Sequence, residues 1–154
     1  MKILKLRFKN INSLKGEHEV DFTQPPFVQN NLFAITGPTG SGKTTLLDVI
    51  SLALFNQVPR LGKMSTNEIL KKGAILTRNQ SEAFAEVTYA CITGEYSSRW
   101  EISTNRNGNL RDYEMFLADT SQVNLDLKKS EVPGKNEELI GLNYEQFIKS
   151  AVLA

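Results

Sequence analysis

The densest chemistry in this sequence lies in one short run, Gly37-Pro38-Thr39-Gly40-Ser41-Gly42-Lys43-Thr44. It matches G-x-x-x-x-G-K-[ST], a loop whose backbone N–H groups turn inward on phosphate oxygens. Glycines at 37, 40 and 42 allow the tight turn. A helix opening near Gly42 adds unsatisfied N–H groups and the positive end of its dipole. In this pattern Lys43 reaches the β- and γ-phosphates as a mobile point charge, and the Thr44 hydroxyl ligates Mg²⁺. The expected ligand is a nucleoside triphosphate with its magnesium ion.

Hydrolysis needs more than a cradle: an acid for the metal and a group that positions or deprotonates water. Met115-Phe116-Leu117-Ala118-Asp119 imitates the apolar run and aspartate of a Walker B strand. Thr120 follows where a glutamate would be expected, and the Tyr113/Met115/Leu117 alternation reads as one-sided burial in an antiparallel meander. No other such run exists in the sequence, so no catalytic residue is assigned within it. The alternative is a self-contained P-loop kinase or nucleotide-binding regulator that uses Asp119 as its acid. His18, the single histidine, has no partner at metal-ligand spacing and is read as structural. Cys91 lies on the apolar face of a strand with no base beside it, and is read as a buried structural thiol.

Several elements must position the loop. Asn31 to Thr36 has the length and composition of a strand, and Thr45 to Phe55 is apolar on nearly every side, as a buried core helix would be. Upstream, Leu4, Leu6 and Phe8 alternate with Lys5, Arg7 and Lys9, which predicts a half-buried strand over Lys2 to Ile11. Its basic face is read as a solvated strand face, with contact to a phosphate backbone as the alternative. A turn over Asn10 to Gly16 leads into a strand from Glu17 to Phe22, and a loop over Thr23 to Asn30 leads into the P-loop strand.

Downstream, Asn56 to Thr66 reads as an exposed loop and Asn67 to Lys72 as a short helix. Ala85/Val87/Tyr89/Cys91 and Tyr96/Ser98/Trp100/Ile102 then alternate on either side of a turn at Thr93-Gly94-Glu95. After a hairpin loop at Asn105 to Asn109, Tyr113/Met115/Leu117 carries the next strand. Tight turns between short strands predict an antiparallel meander, with the Tyr/Trp face as core rather than a base-stacking platform. Pro133-Gly134 breaks the pattern. Two helices follow, Asn136 to Leu142 and Asn143 or Tyr144 to Ala154; the second carries an apolar stripe of Phe147, Ile148, Ala151 and Val152, with Asn143 as its cap.

At 154 residues and 40% hydrophobic, the chain can bury a core. Eighteen basic residues against 17 acidic give a net charge of +1, so composition makes no case for nucleic acid or an acidic partner. One cysteine rules out an internal disulfide, and no leader or run of roughly 20 apolar residues is present. A cytoplasmic location without membrane contact is expected. The sequence ends inside an apolar run and reads as cut.

Met1-Lys2-Ile3-Leu4, Lys9 to Gly16, Leu32 to Thr36 with the P-loop, and Gln146 to Ala154 resemble the SbcC family. These are the large ATPase subunits of bacterial SbcCD nucleases, related to structural-maintenance-of-chromosomes proteins. The resemblance implies an α/β fold: a P-loop NTPase, ABC-type half-head with a central sheet around the P-loop strand and helix plus the antiparallel meander. Residues 1–154 would be its N-terminal lobe. The coiled coil, signature motif, Walker B and D-loop would belong to a C-terminal portion, and a Q-loop glutamine would follow Ala154. Gln146 precedes the helix stripe and is not that glutamine.

By the same resemblance, nucleotide contacts fall at Gly37, Pro38, Thr39, Gly40, Ser41, Gly42, Lys43, Thr44 and Thr45, with ATP as the nucleotide and Mg²⁺ on Thr44. Asn12 and Ser13 match a position that approaches the phosphates; Asn12 departs from the arginine common in the archaeal and eukaryotic branch. Thr77-Arg78 matches a loop near the nucleotide. Implied partners are the C-terminal lobe of the same protein, a second head in an ATP-dependent dimer, an SbcD-like nuclease and double-stranded DNA. The implied setting is DNA repair at the nucleoid.

Overall fold

The alternation at the start of the chain becomes strand β1 (Lys2–Ile11), with Leu6 and Phe8 buried and Lys5, Arg7 and Lys9 on the opposite face. A computed structural model describes residues 1–25, 43–59, 62–63 and 75–153. Strand β2 (Leu14–Asp21) starts earlier than the sequence suggests, because the turn is tight: Asn10 and Asn12 both take left-handed φ, 54° and 53°. Asparagine tolerates that region better than most residues. Across the hairpin His18 faces Phe8 and their rings stack at 5.1 Å, the structural role expected of it.

Helix α1 (Lys43–Phe55) is the helix expected after the P-loop. Val49, Leu52, Ala53 and Leu54 are inaccessible to solvent, and Asp48 and Ser51 are buried with them. The P-loop strand, Gly37 to Gly42 and the short helix at Asn67 to Lys72 lie outside the described residues. Downstream of α1 the expectation of an exposed loop is corrected. Asn56 (φ 55°) turns the chain into a miniature hairpin, β3 (Gln57–Val58) against β4 (Gly62–Lys63), and Val58 is fully buried.

The meander is present as β5 (Glu82–Cys91), β6 (Gly94–Ser103) and β7 (Glu114–Ala118). Strand β1 pairs with β5, so hairpin and meander form one five-stranded antiparallel sheet in the order β2-β1-β5-β6-β7. One face, carrying Leu6, Phe8, Ala85, Val87, Tyr89, Trp100, Ile102, Met115 and Leu117, closes on α1 to make the core. The β5–β6 turn is Ile92-Thr93, one residue earlier than predicted, since Gly94 already pairs with Cys91. Cys91 is half-buried rather than buried, 3.3 Å from the Thr93 hydroxyl, because it ends its strand at the hairpin mouth.

On the opposite face the basic residues of β1 are paired. Lys5 meets Glu19 at 3.1 Å, Arg7 meets Glu86 at 3.2 Å, and Lys9 meets Glu82. Arg99 joins Glu86 and Glu101 and stacks over Phe84 at 3.9 Å. Paired with these carboxylates, the cations form a solvated ion-pair lattice, as expected of this face.

Helix α2 (Val132–Ile140) begins four residues before the predicted Asn136. Pro133 does not interrupt it: a proline in the first turn lacks only an N–H that would have no helical partner. Gly141 ends it in the left-handed conformation, φ 81°. Helix α3 (Tyr144–Leu153) follows. Its entry is a reciprocal cap: the Gln146 N–H donates to Asn143 Oδ1 at 2.9 Å, and the Asn143 N–H to Gln146 Oε1 at 3.0 Å. Gln146 therefore has a capping role. Phe147 and Tyr144 pack their rings against Phe55 of α1, at 5.4 and 5.6 Å.

Candidate nucleotide site

The first turn of any α-helix presents N–H groups with no intrahelical acceptor, and with them partial positive charge. In α1 no acidic residue occupies that turn. Its described surroundings are polar and include one buried carboxylate, Asp48. The turn between β1 and β2 runs beside it, and the Asn12 amide nitrogen reaches Thr45 Oγ1 at 3.2 Å and Asp48 Oδ2 at 2.9 Å. A carboxylate only accepts, so the amide must present its NH₂ to Asp48. Asn12 is thereby held across the first two turns of the helix that the P-loop enters.

The turn is braced from its other side. The Asn12 N–H donates to the Ile75 carbonyl at 2.7 Å, and the Thr77 N–H to the Asn10 carbonyl at 2.9 Å, around a bridge between Ile11 and Leu76. Asn10 ties the hairpin internally, accepting from the Gly16 N–H at 2.7 Å and donating to the Glu82 carbonyl at 2.9 Å. The segment carrying Thr77 thus lies alongside Asn12, and Thr77 Oγ1 is buried without a hydrogen-bond partner among the described residues. Arg78 next to it is exposed, as is Ser13.

Of the expected nucleotide residues, the structure therefore brings Asn12 and Thr45 into contact, and places Lys43 and Thr44 at the first positions of α1. Gly37, Pro38, Thr39, Gly40, Ser41 and Gly42 lie outside the described residues. Sequence reasoning missed Asp48, which looked like one polar interruption in a core helix. Its signal was available: a charge buried among apolar residues is costly unless something is bound to it.

Asp119 stands elsewhere. It follows β7, the edge strand separated from β1 by β5 and β6. Its Oδ1 accepts from the Ser121 N–H at 2.9 Å and the Ser121 hydroxyl at 2.5 Å, closing a local turn. The hydroxyl first, then that N–H, hold its carboxyl below the usual range. Among the described residues, no group of three or more His, Cys, Asp and Glu could hold a metal ion.

The opposite end of α1 is closed by protein. Ser98 Oγ donates to the Ala53 carbonyl at 2.6 Å, and the Asn136 amide donates to the Leu54 carbonyl at 2.8 Å and to Ser98 Oγ at 2.9 Å. The Tyr89 hydroxyl completes Asn136 at 2.6 Å, and Trp100 Nε1 donates to Asn56 Oδ1 at 2.9 Å. Burial pushes the Tyr89 phenol far above its ordinary pKa. These partners anchor the C-terminal end of the helix to the sheet and to α2.

Comparison with known proteins agrees with that geometry. Residues 5–153 match a family described as an AAA domain. The chain is 41% identical to the SbcC component of the SbcCD nuclease of Pseudomonas aeruginosa, over 100% of this chain and 14% of that protein. It is 30% identical to a probable DNA double-strand break repair Rad50 ATPase of Aquifex aeolicus, over 99% of this chain and 14% of that protein. Exonuclease subunit 2 of Enterobacteria phage T4 is 29% identical over 99% of this chain and 24% of that protein. The chain thus spans 14% of the length of the first two of these curated relatives. No described helix is long and apolar enough to cross a membrane. With a P-loop leading into a buried helix and the family match running nearly end to end, the chain belongs to the AAA-domain family and carries that family's nucleotide-binding fold.

Proposed function

We propose that residues 1–154 form the N-terminal lobe of an SbcC-like DNA repair ATPase and bind Mg·ATP. The observation that carries this reading is the 41% identity to an SbcCD nuclease's SbcC component along the whole chain. In the proposed site, Gly37 to Gly42 wrap the phosphates, Lys43 contacts the β- and γ-phosphates, Thr44 ligates Mg²⁺, and Thr45, Asn12 and Ser13 line the entrance to α1. The local chemistry suits that ligand. A helix start without acidic side chains favours an anion. A magnesium ion in such a site keeps several waters and takes few protein ligands beside the phosphate oxygens.

The C-terminal lobe of the same protein would supply the catalytic acid and water-positioning groups, and a second head would close on the first around ATP. Head closure would gate access of double-stranded DNA to an SbcD-like nuclease, in the nucleoid of the cytoplasm. Whatever the nuclease cuts, this chain's share is nucleotide binding.

Equilibrium binding of Mg·ATP tests the reading. Lys43→Ala removes a charge-assisted phosphate contact and should weaken affinity about 10- to 100-fold, with thermal unfolding unchanged. Asp119→Ala should leave binding and turnover as they were. Unchanged affinity in Lys43→Ala overturns the phosphate assignment, and turnover abolished by Asp119→Ala would establish the self-contained kinase instead. Residues 1–154 alone should turn over ATP barely or not at all.

A further inference from the structure

Asp48 is a carboxylate on the inner side of a core helix, only 2% exposed, between Leu47 and Val49. Such a group is expensive to bury and is retained where its partners need it. One partner is the Asn12 amide at 2.9 Å. Asn12 holds a left-handed backbone, φ 53°, a conformation that asparagine tolerates and that surrounding contacts fix here. Among those contacts are the Ile75 carbonyl, the Thr45 hydroxyl and Asp48. A third element lies near the same carboxylate. Tyr144 opens α3 with its ring against Phe55, and burial, then the Asp48 charge, raise its phenol above the ordinary range.

We propose that Asp48 is a positioning residue for the nucleotide site: its buried carboxylate seats the Asn12 amide against Thr45, fixing the β1–β2 turn as a wall beside the start of α1. The inference deepens the Mg·ATP reading above and rests on it. Asp48 touches no phosphate in this scheme. It acts through Asn12, which presents the turn to the space at the helix entrance. Without the carboxylate the amide loses its charged acceptor, the left-handed turn relaxes, and the wall moves away from the nucleotide.

The test is Mg·ATP binding to the full-length protein, with thermal unfolding followed in parallel. Asp48→Leu, which suits a buried helix face but accepts nothing, should weaken affinity about tenfold, the scale of one hydrogen bond to a charged group. Asp48→Asn keeps an acceptor of the same shape and should recover most of that loss. Asn12→Gly keeps the left-handed backbone while deleting the amide, and should lose as much as Asp48→Leu. Combining Asn12→Gly with Asp48→Leu should cost no more than either alone, since both break one contact. Lower melting temperature with unchanged affinity in Asp48→Leu and Asn12→Gly would make the contact merely structural and overturn the proposal. Should Asp48→Leu fail to fold, Asn12→Gly binding at wild-type affinity overturns it equally. Wild-type protein that does not bind Mg·ATP removes the underlying reading, and this inference with it; wild-type binding abolished by Lys43→Ala but indifferent to Asp48 and Asn12 removes the inference alone.

Discussion

The two ends of α1 are treated in opposite ways. At the C-terminal end, carbonyls that no helix can satisfy are bonded by Ser98 and Asn136, with Tyr89 and Trp100 completing a buried network. At the N-terminal end, the Asn12 amide reaches both Thr45 and Asp48, two buried side chains of the first two turns. No acid closes the first turn. On the proposed reading, a helix anchored by protein at its tail and entered by a glycine-rich loop at its head holds an anion. The network at the tail serves stability, and on the proposed reading the contacts at the head serve binding.

That division can be broken by experiment. Lys43→Ala should produce the largest change, in Mg·ATP affinity and not in stability. A large loss of stability there would erase the distinction between the ends. Asn136→Ala should do the reverse. It strips partners from the Leu54 carbonyl, the Ser98 hydroxyl and the Tyr89 hydroxyl, and should cost about 2–4 kcal/mol of stability, read from the urea midpoint. Affinity of the protein that remains folded should stay within experimental error; a matching loss of binding would mean that the tail network also shapes the site.

Tyr89→Phe sharpens the same network through pH. The folded phenol titrates above the unfolded value of about 10, so the unfolded chain releases its proton first as pH rises. Stability from this group is complete below about pH 10 and declines above it. The variant should lose about 1 kcal/mol at neutral pH and show a shallower alkaline decline, both visible in denaturation midpoints. A decline as steep as wild type would assign the alkaline loss to another group. The smallest effect belongs to the outer sheet face: Lys5→Ala deletes an exposed pair with Glu19 and should stay within about 0.5 kcal/mol.

Local pattern was enough for much of the fold. The alternation of β1, β5, β6 and β7 and the all-round apolar character of α1 could be read directly, because period-two and buried-helix signals come from consecutive residues. The Asn143 cap was equally local. Val58 and the early start of α2 were not. A proline and a glycine weaken a helix by local propensity, yet burial of Val132 and Asn136 holds α2 in place. Charge on the outer sheet face was also ambiguous in one strand, since Arg7 finds Glu86 79 residues away.

By itself the sequence determined which ligand is proposed for this protein. Gly37 to Thr44 specify a phosphate cradle through glycine φ freedom, one lysine and one hydroxyl, whose chemistry depends on residue type and adjacency. The tertiary structure alone decided how the helix behind that cradle is fixed. Asn12 and Asp48 are 36 residues apart, and Asn136 and Leu54 are 82 apart. Hydrogen bonds over such separations depend on how the sheet carries its strands past α1, and no local pattern records that.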